Sequence, residues 1–286
     1  MNGPIDVTIA TKNSAATIVQ CIESIKTNLP HGRLIVLDDS DDNTPDLARS
    51  CGAEVHHVPG LLGMKRYMQA ALAGTDWIVS IDSDITVYPN WWPNLSRCIS
   101  DDVGAVNGWL DSDFSRSFPA YDEYTKFVSS WRYRALGHGG AIGNTLIRRC
   151  ILLALREQLM PVHAGEDFLI GQAVRDARLR WVVVPTPVGF HHHHDALAHH
   201  RMAYYRAGRS LVINKGRVRA LRHFWSTPAR FMLNYLRFSW HKRRLDMRLC
   251  FFLAQLIGLT LRGLAQECAS RPWSLAPKKR AHNSHA

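Results

Sequence analysis

At 286 residues, with 46% hydrophobic and 21% charged residues, the chain is globular in composition and long enough to bury a sizeable core. Its net charge of +11 is unevenly placed: residues 196–286 carry 18 Lys/Arg against Asp246 and Glu267, and residues 1–195 carry 17 against 22 acids. The six cysteines are scattered and form no C-x-x-C pair, which gives no support to a zinc knuckle or a redox motif and suggests reduced thiols.

The first strand is expected over Ile5–Ala10, with a loop at Thr11-Lys12-Asn13-Ser14. Ser14 is placed to cap a helix whose Ile18, Ile22 and Ile25 keep helical spacing, until Pro30-His31-Gly32 breaks it. Leu34–Leu37 reads as a second strand. It ends in Asp38-Asp39-Ser40-Asp41-Asp42-Asn43-Thr44, an acidic cluster that is either a binding loop or a solvated turn leading to a helix at Thr44-Pro45. Val55–Val58 is a third strand, and Gly60–Arg66 leads into a helix over Tyr67–Ala73. Lys65 and Arg66 sit against the dipole of that helix start, so they either serve a phosphate or are merely exposed.

Trp77–Ile81 has four apolar residues in five and reads as a buried strand ending in Asp82-Ser83-Asp84. In open α/β sheets ligands bind outside the carboxyl ends of the strands. The period-two spacing of Asp82 and Asp84 would turn both toward one ligand. Close carboxylates ionise together only with a cation between them, and Mg²⁺ or Mn²⁺ fits oxygen ligands of this kind. An Asp-x-Asp after a strand is also an ordinary turn.

A helix over Pro89–Ile99, a strand over Val103–Trp109 and a helix over 119–136 follow. The Gly-rich Gly137–Asn144 lacks the Walker lysine and suits close approach of backbone to a ligand. Gly165-Glu166-Asp167 opens a helix running to about Ala177, where acids in the first turn also suit the dipole. Arg180–Pro185 is a strand, and His191–His194 after it offers metal ligands or a solvated polar run.

Thr227-Pro228 forms a good cap pair for a tail helix. Arg230, Arg237, His241, Arg244 and Arg248 then fall on one helical stripe beside Phe231, Tyr235, Phe238 and Trp240. A basic amphipathic helix of this kind suits a membrane interface. Phe251–Leu261 is apolar but, at 11 residues, short of the roughly 20 needed to span a bilayer.

Taken in order, Thr11-Lys12-Asn13 after a strand, Leu34–Ser40, Lys65-Arg66, Asp82-Ser83-Asp84 and Glu166-Asp167 resemble the GT-A fold of family-2 glycosyltransferases. The loop after the second strand is similar to that family's Asp-Asp-Gly-Ser-x-Asp loop, with Ser40 where Gly is frequent. Coverage is roughly residues 5–210. The resemblance implies an α/β fold, a GT-A type Rossmann-like mixed sheet flanked by helices, with a catalytic domain over 1–215 and a basic amphipathic helical tail over 216–286. It implies inverting transfer of one sugar from a nucleotide-diphosphate sugar to an acceptor hydroxyl. Thr11 and Asn13 would line the nucleotide pocket, and Asp39 would bond the base. Lys65 holds the basic position ahead of the D-x-D. Asp82 would face the ribose or phosphate, and Asp84 would bind Mg²⁺ or Mn²⁺. Glu166-Asp167 would stand on the acceptor side with Asp167 as general base at its ordinary pKa, and His191 or His193 would supply a further metal or diphosphate ligand. The Q-x-x-R-W motif of the processive members is incomplete, since Gln172-Ala173-Val174-Arg175 is followed by Asp176.

A nucleotidyltransferase on a related scaffold would carry a Gly-rich phosphate loop near the N-terminus, but Ala10–Ala16 has one Lys and no Gly. A nucleic-acid binder would act through the tail, yet the apolar residues interleaved there favour lipid, so no nucleic acid is expected. The expected partners are a nucleotide-diphosphate sugar, an acceptor that is lipid-linked or a cell-envelope glycan, and an anionic membrane surface. The N-terminus shows neither a basic n-region nor a long apolar run, so no signal peptide is expected and the expected location is cytoplasmic, peripheral on the inner face of the membrane.

Overall fold

A computed structural model describes residues 3–112, 118–136, 141–162, 165–192 and 196–270, with backbone alone at some helical positions. The chain divides into two compact units, Met1–His199 and His200–Ala286.

The first unit is built on a mixed sheet of eight strands. They are β1 (Ile5–Thr11), β2 (His31–Asp38), β3 (Glu54–His57), β4 (Trp77–Asp82), β5 (Ile85–Val87), β6 (Val103–Ser112), β7 (Asn144–Arg148) and β8 (Arg180–His191). Their order is β3-β2-β1-β4-β7-β6-β8-β5. The strands β3, β2, β1 and β4 run parallel, and β7 is antiparallel to both β4 and β6. Burial on both faces explains why β1 and β4 read as nearly unbroken apolar runs. On one face Val79 and Ile81 join Ile18, Ile22 and Ile25 of α1 (Ile18–Asn28). On the other, Ile78 and Ile147 meet Ile170 and Val174 of α8 (Glu166–Asp176).

Several local expectations change. Ser14 does not cap α1, which starts at Ile18. Its hydroxyl bonds Ser83 instead, at 2.7 Å. The helix α2 spans Thr44–Ser50 as expected, and α4 is trimmed to Trp91–Ser96. The helix α3 begins at Leu62 and runs to Leu72, so Lys65 and Arg66 lie inside it rather than ahead of it. The helix α5 covers Pro119–Leu136. Two short helices, α6 (Arg149–Leu153) and α7 (Arg156–Leu159), follow β7. The strand β8 continues past Pro185 to His191. Its pairing with β6 slips between Gly108–Val184 and Trp109–Pro187, a bulge that accommodates the prolines. That extension sets His191 opposite Ile85.

In the C-terminal unit, α9 runs from Ala196 to Lys242 and α10 from Met247 to Ser270. Thr227-Pro228 starts no helix: Pro228 lies within α9. The proposed single stripe is broken, because the helix ends after Lys242 and Arg243 takes a left-handed φ of 52°. Arg244 and Arg248 therefore belong to the turn and to the next helix. Phe251–Leu261 is the middle of a 24-residue helix. The expectation that this segment is too short to span is thus corrected: by length and composition alone α10 could cross a membrane, a test that core helices of soluble proteins also pass. The two helices pack closely through glycine. A Cβ at Gly208 would lie 1.9 Å from the Thr260 carbonyl oxygen, and one at Gly263 would lie 2.1 Å from that of Tyr205. Arg209 pairs with Glu267 at 2.9 Å along the same contact.

Candidate active site

The register of the parallel strands brings their carboxyl ends together: Ala10 lies opposite Asp82, and Thr11 opposite Asp38. The loops that follow are laced to one another. Thr11 Oγ1 and Ser40 Oγ each donate to Asp38 Oδ1 at 2.6 Å. The Asn13 amide donates to Ser40 Oγ at 2.7 Å, and Asn13 Oδ1 accepts from the Asp41 amide at 2.9 Å. Asn13 holds this position with φ 53°, a conformation Asn tolerates through local hydrogen bonds. Asp38 is buried and organises the loop, which leaves Asp39 at its open side. Lys12 bonds Asp39 at 2.9 Å and holds its carboxyl below the usual range. Thr11, Asn13 and Asp39 thus line one corner.

Lys65 and Arg66 behave differently from the sequence expectation. The face of α3 turned to the sheet carries Arg66, Gln69 and Ala70, a helical spacing that drives a guanidinium inward. Lys65 is buried and donates to the Thr11 carbonyl at 2.5 Å; burial lowers its pKa against the pull of Asp39 and Asp38. Arg66 is 2% exposed. It donates to Asp82 Oδ1 at 2.6 Å and to Ser80 Oγ at 3.2 Å, and its Nε stands 3.8 Å from Glu166 Oε1 without a hydrogen bond. Charge buried this deeply persists only when paired. Arg66 is the residue that sequence reasoning missed as the centre of the site. The signal was its place on the buried face of α3.

Glu166 and Asp167 open α8 beside this arginine. Burial, then the charge of Asp167, lifts the Glu166 carboxyl to about 8, against the pull of Arg66. Asp167 is half-buried and accepts the Ile142 amide at 3.0 Å. Burial raises its pKa too, although the Ile142 amide and Arg66 oppose the shift. The expectation of an ordinary pKa at Asp167 is therefore corrected, because burial disfavours the charged carboxylate.

Asp82 and Asp84 do not turn toward one point. β4 ends at Asp82, and the turn at Ser83 and Asp84 breaks the strand alternation before β5 begins. Asp82 faces Arg66, and its amide bonds the Gly143 carbonyl at 2.8 Å. Gly143 closes on the Asp82 side chain rather than on a ligand: a Cβ there would lie 1.9 Å from Asp82 Oδ2. Asp84 faces β8, with its Oδ1 at 3.2 Å from His191 Nε2. Burial pulls the His191 ring down, but the hydrogen bond and charge of Asp84 outweigh it and leave the pKa raised. His193 and Gly137–Gly140 lie outside the described residues. Among the described residues no three His, Cys, Asp or Glu side chains are placed to hold a metal ion together. Asp84 and His191 would thus offer one oxygen and one nitrogen donor, with further places left for ligand oxygens. A carboxylate oxygen beside an imidazole nitrogen is a donor pair that suits a divalent cation when the ring is neutral.

The site combines strand-end loops, the Asp84–His191 pair and an acid pair at a helix start. An eight-stranded mixed sheet of this order, with those residues at the carboxyl ends of its parallel strands, defines a GT-A type glycosyltransferase fold. The sequence profile described as Glycosyl transferase family 2 matches residues 6–151, and the chain belongs to that family. A protein of Rickettsia felis described as an uncharacterized glycosyltransferase is 38% identical over 101 residues, which are 35% of this chain and 32% of that protein. One of Rickettsia prowazekii is 34% identical over 82 residues, 28% of this chain and 27% of its own. The matched stretches thus span less than a third of those relatives' lengths. Glucosyl-3-phosphoglycerate synthase from Mycobacterium tuberculosis, crystallised with Mn²⁺, uridine diphosphate and phosphoglyceric acid, superposes with a TM-score of 0.50 at 20% identity. The match covers 73% of this chain and 78% of that one, and the likeness is one of fold.

Proposed function

We propose that this chain is an inverting glycosyltransferase that moves one sugar from a nucleotide-diphosphate sugar to an acceptor hydroxyl. The observation that carries the reading is the division of the acids by Arg66. Asp82, Glu166 and Asp167 gather round the arginine, while Asp84 stands apart with His191.

Thr11, Asn13 and Asp39 hold the nucleotide at the ends of β1 and β2. Asp84 and His191 would hold Mg²⁺ or Mn²⁺, which supplies Lewis-acid relief of the charge on the leaving diphosphate. Asp167 takes the proton from the acceptor hydroxyl, whose oxygen then attacks the sugar C1 from the face opposite the diphosphate. A carboxyl with a raised pKa, nearer to neutrality, accepts a proton more effectively than an ordinary Asp, provided it is ionised. Glu166, lifted to about 8, stays largely protonated at neutral pH beside Asp167. The amide of Ile142 fixes the Asp167 carboxylate, and Arg66 keeps the neighbouring charges compensated. Orientation and electrostatics do most of the work.

The test is a thermal-shift and donor-hydrolysis screen over nucleotide sugars with and without Mn²⁺ or Mg²⁺. Stabilisation by donor that requires the metal is expected, through linkage of binding to folding. Asp84→Asn should remove the metal requirement and leave the unliganded melting temperature nearly unchanged. Donor affinity that keeps its full metal dependence in this variant would refute the assignment of Asp84.

A further inference from the structure

We infer that the elbow joining α9 to α10 docks on an anionic lipid surface, with its tip entering the headgroup layer. The unit His200–Ala286 ends its helical hairpin in a tip that exposes large apolar side chains together. Trp240 is 88% exposed, Leu245 71%, Phe251 66%, Met247 58% and Leu236 51%. Leu236, Trp240 and Leu245 line a shallow groove of about 740 Å³ with Arg243 and Arg244. Scattered apolar residues are ordinary on a surface, but a contiguous patch with a polar rim marks an interaction site.

The tip is built, not frayed. The Tyr235 hydroxyl donates to the Asp246 carbonyl at 2.9 Å and accepts its amide at 3.2 Å. Asp246 Oδ1 accepts the Leu249 amide at 2.9 Å and so caps α10. The left-handed Arg243 turns the chain out, and Leu245 is held in the open. Tyr235, Phe238 and Leu249 are buried beneath, so the exposed set is the outer face of an ordered structure.

Charge identifies the occupant. Arg237, Lys242, Arg243, Arg244 and Arg248 surround the patch on exposed positions, and Asp246 is the one acid between residues 228 and 251. A second copy of this chain would bring two arginine rims face to face. The basic segment after Ser270, with Arg271, Lys278, Lys279 and Arg280, would meet the same repulsion. An anionic bilayer matches both features: its interface accepts Trp, Phe and Leu, and its headgroups draw the cations. The contact is centred on the elbow, not on a stripe along one helix, and it does not depend on the reaction assigned to the other unit.

The experiment uses the full chain with vesicles of neutral lipid and with vesicles holding a fraction of phosphatidylserine, in co-sedimentation at rising salt. Binding to the anionic vesicles only, weakening with salt, is expected. Arg243→Glu with Arg244→Glu should lower partitioning by at least roughly 30-fold, since each basic residue at an anionic surface contributes about fivefold. Trp240→Ser with Leu245→Ser should also lose binding while keeping the circular dichroism and the melting temperature. Brominated lipid should quench a component of the tryptophan fluorescence that Trp240→Phe removes. The inference is overturned if the full chain stays in the supernatant at low salt, if binding survives both double substitutions, or if the tip substitutions dissociate a dimer instead.

Discussion

Replacing Arg66 by Met tests the electrostatic centre of the site. The substitution keeps the bulk of the side chain and deletes its charge. It removes a charge-assisted hydrogen bond to Asp82 at 2.6 Å and a weaker one to Ser80 at 3.2 Å. Breaking a buried pair by removing one partner costs about 3–5 kcal/mol, because the remaining charge is left uncompensated. Two features favour the lower end. The Asp82 side chain is 36% exposed and water recovers part of the loss, and Glu166, lifted to about 8, is only partly ionised at pH 8. A destabilisation of about 3 kcal/mol at pH 8 is therefore expected, which is a large share of the stability of an ordinary domain. The loss should grow with pH. Arg66 holds the Glu166 and Asp167 pKa values down, so without it both rise further and the folded state binds protons more tightly than the unfolded chain. Stability of the variant then falls more steeply as pH rises. Urea unfolding of both proteins at about pH 5.5 and about pH 8, followed by far-ultraviolet circular dichroism, measures both effects. A loss below about 1 kcal/mol at pH 8, or one equal at the two pH values, would show that Arg66 does not compensate these carboxylates.

Three further outcomes are expected. Glu166→Gln should flatten the stability profile between about pH 4.5 and about 8, because the native carboxyl is raised from 4.5 to about 8 and its stabilisation, complete below 4.5, is lost as pH rises through 8. Melting temperatures across that window check this, and an unchanged slope speaks against a neutral Glu166. Asp167→Asn should keep donor affinity and lose transfer by two orders of magnitude or more, since the amide still accepts the Ile142 N–H but takes no proton; transfer within a few-fold of the parent places the base elsewhere. Gly143→Ala should displace the Asp82 carboxylate, cost about 1–3 kcal/mol by overpacking and weaken donor binding, as calorimetry and thermal melts will report.

The buried runs of β1, β2 and β4, the helix with Ile18, Ile22 and Ile25, and the order of acids at strand ends were all legible in the chain. They are local signals: apolar period, turn residues and position relative to a strand end. The family resemblance drew on the same order. The helical character of the basic tail was legible as well, but not its division, since the bend at Arg243 requires a left-handed residue that no sequence pattern announced.

Which charges meet depends on how distant elements pack. Asp82 and Asp84 look like one pair by spacing, yet the turn after β4 sends one to Arg66 and the other to His191. His191 reaches Asp84 because a bulge carries β8 past its prolines to lie against β5. Arg66 read as a cation at a helix start that either serves a phosphate or is merely exposed. It is buried because α3 begins earlier and turns that face to the sheet, where Glu166 arrives from far along the chain. Sequence period determines which face of an element is apolar. The partner that makes burial of a charge tolerable comes from a distant element, and only the packed sheet brings it there.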